Sequence, residues 1–224
     1  GGMNSSDRER ILTDVWDWPI RVLHWVNAAL IVTLALLMIG KEGMEILGVE
    51  KALRAPVKKL HAYVGHLFVI TFLLRVLWGF IGNEYSRWLD IIPYNKERWR
   101  SIGHNIKWYL SGFRGRAAHA VGHDPFASLF YIVLFIVLTS QIITGVVLSG
   151  HDFKTFPGNI IVAVVGQETI KGLHDVLEGV HVLGFYYILF FVCAHLGGLV
   201  VHEIREKTGL FSSMIHGGKY FRKE

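Results

Sequence analysis

The chain has 224 residues, 52% of them hydrophobic, and a formal net charge of +5. A mean hydropathy of +0.39 exceeds that of water-soluble domains, so lipid must be part of the solvent and a soluble globular class is excluded. The excess of lysine and arginine is read as membrane orientation and attraction to anionic lipid, not as a nucleic-acid site.

In chain order, residues 1–21 are a polar N-terminal segment in which Gly1-Gly2 ahead of Met3 reads as an appended scar. No cleavable signal is expected, because the first apolar run is too long for a signal core and no small-residue cleavage site follows it. Trp16, Trp18 and Trp25 flank the start of that run, where amphipathic rings anchor a helix at the water–lipid boundary.

Four stretches can cross about 30 Å of hydrocarbon at about 1.5 Å per residue. They are 22–40, 60–81, 126–148 and 180–201. Between the second and third, Trp99, Ile102, Ile106, Leu110 and Phe113 recur at helical steps, which predicts an amphipathic helix on the membrane surface. The stretch 156–165 is apolar but too short to cross, and it contains Pro157 and Gly158. It is expected at the surface or dipping in.

The expected fold is all-α, an integral-membrane four-helix bundle. Residues 1–21, 83–124 and 202–224 hold 3, 7 and 5 Lys or Arg, against 5 and 2 in 41–59 and 149–179. The positive-inside rule then sets both termini in the cytoplasm, with 1–21 and 203–224 as cytoplasmic segments around a transmembrane domain of 22–202. Multi-pass residence in a bacterial inner membrane is the matching location.

Twelve histidines are present, and His24, His61, His66, His181 and His195 fall within the spans, where an ionisable group needs a partner. A lone histidine there is more often an interhelical hydrogen bonder, so spacing has to carry the assignment. His181 and His195 are fourteen residues apart, which puts them within about 40° of one helix face and about 21 Å apart along the axis. One face thus offers a metal ligand near each side of the membrane.

Haem iron in electron transfer is commonly six-coordinate, so each of these histidines requires a partner at its own depth. The first span brings His24 to the depth of His195, and the second brings His61 to that of His181. Two b-type haems with bis-histidine ligation are the expectation, and this domain, 22–202, would be their holder. The one cysteine, Cys193, excludes an internal disulfide, a cysteine-ligated cluster and covalent haem attachment within the chain.

His66 is the rival to His61; five residues rotate a helix by about 140° net, so both cannot face one haem. Arg75 would snorkel to the interface or pair with a haem propionate. His202 could meet a propionate, a quinone or lipid headgroups. His104, His119, His123, His151, His174 and His216 lack metal-ligand spacing and read as surface residues. No residue is assigned as a catalytic acid, base or nucleophile.

Several segments together resemble the b-type cytochrome subunit of membrane-bound nickel-iron uptake hydrogenases, from about Trp16 to the C-terminus. They are Pro19-Ile20-Arg21-Val22-Leu23-His24-Trp25, Arg75-Val76-Leu77-Trp78 leading to Gly82-Asn83-Glu84-Tyr85-Ser86-Arg87, Gly122-His123-Asp124-Pro125, Ile143-Thr144-Gly145 and the tail around Ser213-Met214. The resemblance implies haem ligation by His24, His61, His181 and His195. It also implies a role: electrons from the small subunit of a periplasmic hydrogenase, whose large subunit handles hydrogen, pass through the haems to menaquinone or ubiquinone. Arg75, Asn83 and Tyr85, with His202 nearby, are the candidate quinone residues.

One position departs from that family, Glu178, where a further histidine is common. A b-type cytochrome serving another periplasmic donor therefore stands as the alternative. A haem-free transporter with histidine proton relays lacks paired half-helices or repeated halves in its support. A haem-free anchor would leave the matched histidines as interhelical hydrogen bonders.

Overall fold

The computed structural model describes residues 10–14, 16–82, 96–110, 125–206 and 210–222. A short strand β1 (Arg10–Asp14) leads into helices α1 (Trp18–Ile46) and α2 (Lys51–Ile81). Helix α3 (Lys96–Leu110) follows, then α4 (Pro125–Phe153), α5 (Gly158–Val165), α6 (Gln167–Glu206), α7 (Leu210–His216) and strand β2 (Gly218–Arg222). The protein is an all-α membrane bundle decorated by one two-stranded antiparallel pair, in which Arg10 faces Arg222 and Asp14 faces Gly218.

Four of these helices, α1, α2, α4 and α6, are long and apolar enough to cross a membrane. Each overruns the apolar stretch seen in the sequence; α6 has 40 residues. The helix continues because every internal backbone group is already paired, whether its side chains meet lipid or water. Leu36, Ile70, Leu73, Ile136, Leu183 and Phe190 are among the exposed large apolar side chains on them, the outward surface that lipid covers.

The chain divides into two compact units. The first joins Gly1–His24, Arg75–Ile132 and Val192–Glu224. Its core is Trp16 and Ile20 packed with Trp78 and Met214. Trp16 is only 6% exposed, not an interface anchor as its position suggested, because its indole N–H donates to Ser213 Oγ at 3.0 Å inside the core. Trp18, 69% exposed, retains the anchoring position. The terminal segments are further joined by Trp16 N–H to the Gly217 carbonyl (2.9 Å) and Arg21 Nη1 to the Ile215 carbonyl (2.7 Å). Gly217 turns the chain at a φ of +89°, a conformation that glycine adopts without strain. In α3, Ile102 is buried and Trp99 exposed; Phe113 lies outside the described residues.

The second unit joins Trp25–Leu74 with Val133–Phe191. Phe68, Phe72 and Phe135 form a run of rings with successive centroids 5.9 Å apart. The Thr71 hydroxyl donates to Asn27 Oδ1 at 2.6 Å and so links α2 to α1. Helix α5 is eight residues long, about 12 Å at the standard rise and too short to span. It approaches α4 so closely that a Cβ on Gly150 or Gly158 would collide with the other's backbone.

Candidate functional site

Four intramembrane histidines come together as two pairs, each within one unit. In the first unit, His24 of α1 and His195 of α6 have ring centroids 6.3 Å apart with planes inclined at 60°. In the second, His61 of α2 and His181 of α6 are also 6.3 Å apart, at 81°. All four side chains are half-buried.

The hydrogen bonds on these rings fix which nitrogen is left for another partner. The Thr144 hydroxyl donates to the Ser140 carbonyl at 2.7 Å, so its oxygen accepts from His181 Nδ1–H at 2.8 Å. That assignment leaves a lone pair on His181 Nε2. His61 Nδ1–H donates to the Leu34 carbonyl at 3.1 Å, which leaves its Nε2 in the same state. His195 Nδ1 lies 3.3 Å from the Tyr131 hydroxyl. A histidine metal ligand is commonly oriented in this way, with its second ring nitrogen bonded to an oxygen.

Glycine at position 145 has a local reason: a Cβ there would lie 3.2 Å from His181 Cε1. Sequence reasoning found Thr144 and Gly145 only as landmarks of resemblance. It gave no role to Tyr131 or the Leu34 carbonyl, because a main-chain acceptor leaves no mark in a sequence.

Two imidazoles bound to one metal from opposite sides, with bonds of about 2.0 Å and ring centres about 1.1 Å further out, have centroids about 6 Å apart. Both observed separations fit that value. The donor set therefore suits a six-coordinate iron whose other four ligands come from a flat macrocycle.

The remaining candidates divide. His66 donates through Nδ1 to the Ala62 carbonyl of its own helix at 2.6 Å; the ring set against His181 is that of His61. Arg75 is 8% exposed and has Asp17 as its opposite charge. Asp17 also accepts from Trp78 Nε1 at 2.8 Å. His202 is half-buried on α6, and Asn83 and Tyr85 lie outside the described residues.

Comparison with known proteins gives a consistent picture. The family model described as prokaryotic cytochrome b561 matches residues 15–217. A probable Ni/Fe-hydrogenase B-type cytochrome subunit of Rhizobium leguminosarum bv. viciae is 30% identical over 226 residues, covering 96% of this chain and 91% of its own. Its counterpart in Bradyrhizobium diazoefficiens is 29% identical, covering 93% and 86%. A probable Ni/Fe-hydrogenase 1 B-type cytochrome subunit of Escherichia coli strain K12 is 28% identical, covering 94% of each chain.

Proposed function

This chain belongs to the prokaryotic cytochrome b561 family, and we propose that it is the di-haem b subunit through which a periplasmic nickel-iron hydrogenase delivers electrons to membrane quinone. Haem b and electron transport follow from the family, and four apolar helices make the chain a multi-pass membrane protein. The hydrogenase partner is carried by the relatives' names.

The observation that supports two haems is the pair of histidine couples at 6.3 Å. His24 and His195 would hold one haem, and His61 and His181 the other. Haem supplies a one-electron iron couple, without protons and without covalent change in the chain. Around it the protein orients imidazoles through Thr144 and Leu34 and excludes water with apolar helices. Arg75, in the unit that contains His24 and His195, is our candidate partner for a propionate of their haem.

The positive-inside rule supports cytoplasmic termini and an inner-membrane location, with the His61/His181 couple toward the periplasmic donor. Quinone, menaquinone or ubiquinone, would then be reduced near the cytoplasmic face, by the His24/His195 couple. Asn83, Tyr85 and His202 are its candidate contacts. Glu178, in place of a histidine common among hydrogenase cytochromes, favours a second reading, the same electron path served by a different periplasmic redox protein.

Pyridine haemochrome quantification of the purified chain tests the di-haem reading. Two haems b per chain are expected, and His61→Ala or His181→Ala should each remove one while leaving the other. One haem or none in the unaltered protein, or equal loss of both in a folded variant, would refute the assignment.

A further inference from the structure

We propose that the end of α4 and the early part of α6 form a binding site for a zinc-type divalent cation, with His151, Asp152 and His174 as its ligands. His151 and His174 have no chelating spacing in the sequence, which is why they read as isolated surface residues. Folding removes that separation.

His151 and Asp152 sit in the last turn of α4 and His174 in the third turn of α6. Asp152 Oδ1 lies 3.0 Å from His151 Nδ1 and 3.3 Å from His174 Nε2. The imidazole centroids are 5.5 Å apart, and the three donor atoms all lie within 4.8 Å of one another. A tetrahedral ion with bonds of about 2.0 Å needs ligand atoms about 3.3 Å apart along each edge. Two nitrogens and one carboxylate oxygen are the donor number of an open zinc site, and imidazole selects zinc, copper or nickel over calcium or magnesium.

The surroundings agree with a cation. The side chains of His151, Asp152 and His174 are 18%, 20% and 25% exposed, so an ion can enter from solvent. His174 Nδ1 is turned toward two more carboxylates, Glu178 Oε2 at 3.8 Å and Asp175 Oδ1 at 3.9 Å. Lys58 Nζ contacts Asp152 Oδ2 at 3.3 Å, the oxygen that the imidazoles do not share, so the lysine orients the carboxylate while Oδ1 stays with the histidines. Lys154 Nζ is bonded to the His151 carbonyl at 3.2 Å.

The test is isothermal titration of the purified, haem-replete protein with zinc chloride, beside the Asp152→Asn, His151→Gln and His174→Gln variants. His104→Gln serves as a surface-histidine control. One zinc per chain is expected, with affinity reduced at least about tenfold in each of the three variants and kept in the control. Cobalt(II) in place of zinc should give visible ligand-field bands that the three variants lose. An unchanged haem spectrum in each variant shows that it is folded. Absence of stoichiometric zinc binding by the unaltered protein, retention of full affinity by Asp152→Asn, or loss of it in the control overturns the site.

Discussion

Thr144 carries two hydrogen bonds in series: it donates to the Ser140 carbonyl and accepts from His181 Nδ1. Valine has nearly the same shape but can do neither. Thr144→Val should therefore leave His181 free to turn and lower haem retention at the His61/His181 couple by about 10–100-fold. Haem content per chain after detergent washing measures this, and full retention would show that Thr144 is a packing residue only. Tyr131, whose hydroxyl lies 3.3 Å from His195 Nδ1, is the corresponding neighbour at the other couple. No such partner could be read from the sequence, since Thr144 and His181 lie 37 positions apart and nothing in composition marks them as neighbours.

At the scale of elements, the two chain ends are tied together by Trp16, Ser213, Arg21 and the β1–β2 pair. Truncating a buried tryptophan costs about 3–5 kcal/mol, more than a two-stranded ribbon can supply alone. In Trp16→Ala, amide hydrogen exchange should accelerate across Trp16–Arg21 and Leu210–Arg222. The second unit, Trp25–Leu74 and Val133–Phe191, contains no residue of that cluster and should keep its protection. A uniform acceleration everywhere would contradict the local role of the clasp. The α4–α5 contact at Gly150 and Gly158 is a comparable local device, because only glycine lets the two backbones approach so closely.

At the scale of the molecule, the proposed direction of electron flow sets where quinone should react. An electron moving inward from the periplasmic side works against a field worth about 2.3 kcal/mol per 100 mV when the cytoplasm is negative. Quinone reduction with proton uptake at the cytoplasmic face conserves that work as membrane potential. Substituting Asn83→Ala and Tyr85→Phe singly should slow quinone reduction in membranes while the haems still reduce at normal rates. Unchanged quinone turnover in both would move the quinone site to the neighbourhood of His61 and His181.

The sequence by itself determined the membrane class, the four spanning helices and their order, because apolar length and helical rise are local quantities. It also marked His181 and His195 as sharing one face of one helix, for the same reason. Helix ends were less legible: α1 and α6 run well past their apolar stretches, since backbone pairing continues regardless of which solvent the side chains meet. Trp16 looked like an interface anchor until Ser213 and Trp78 were brought against it. Only the tertiary structure decided which atoms hold the histidines, that Arg75 is buried beside an opposite charge, and that His151 meets His174 across Asp152. Those contacts join residues far apart in the chain, and only packing of one helix on another makes them neighbours.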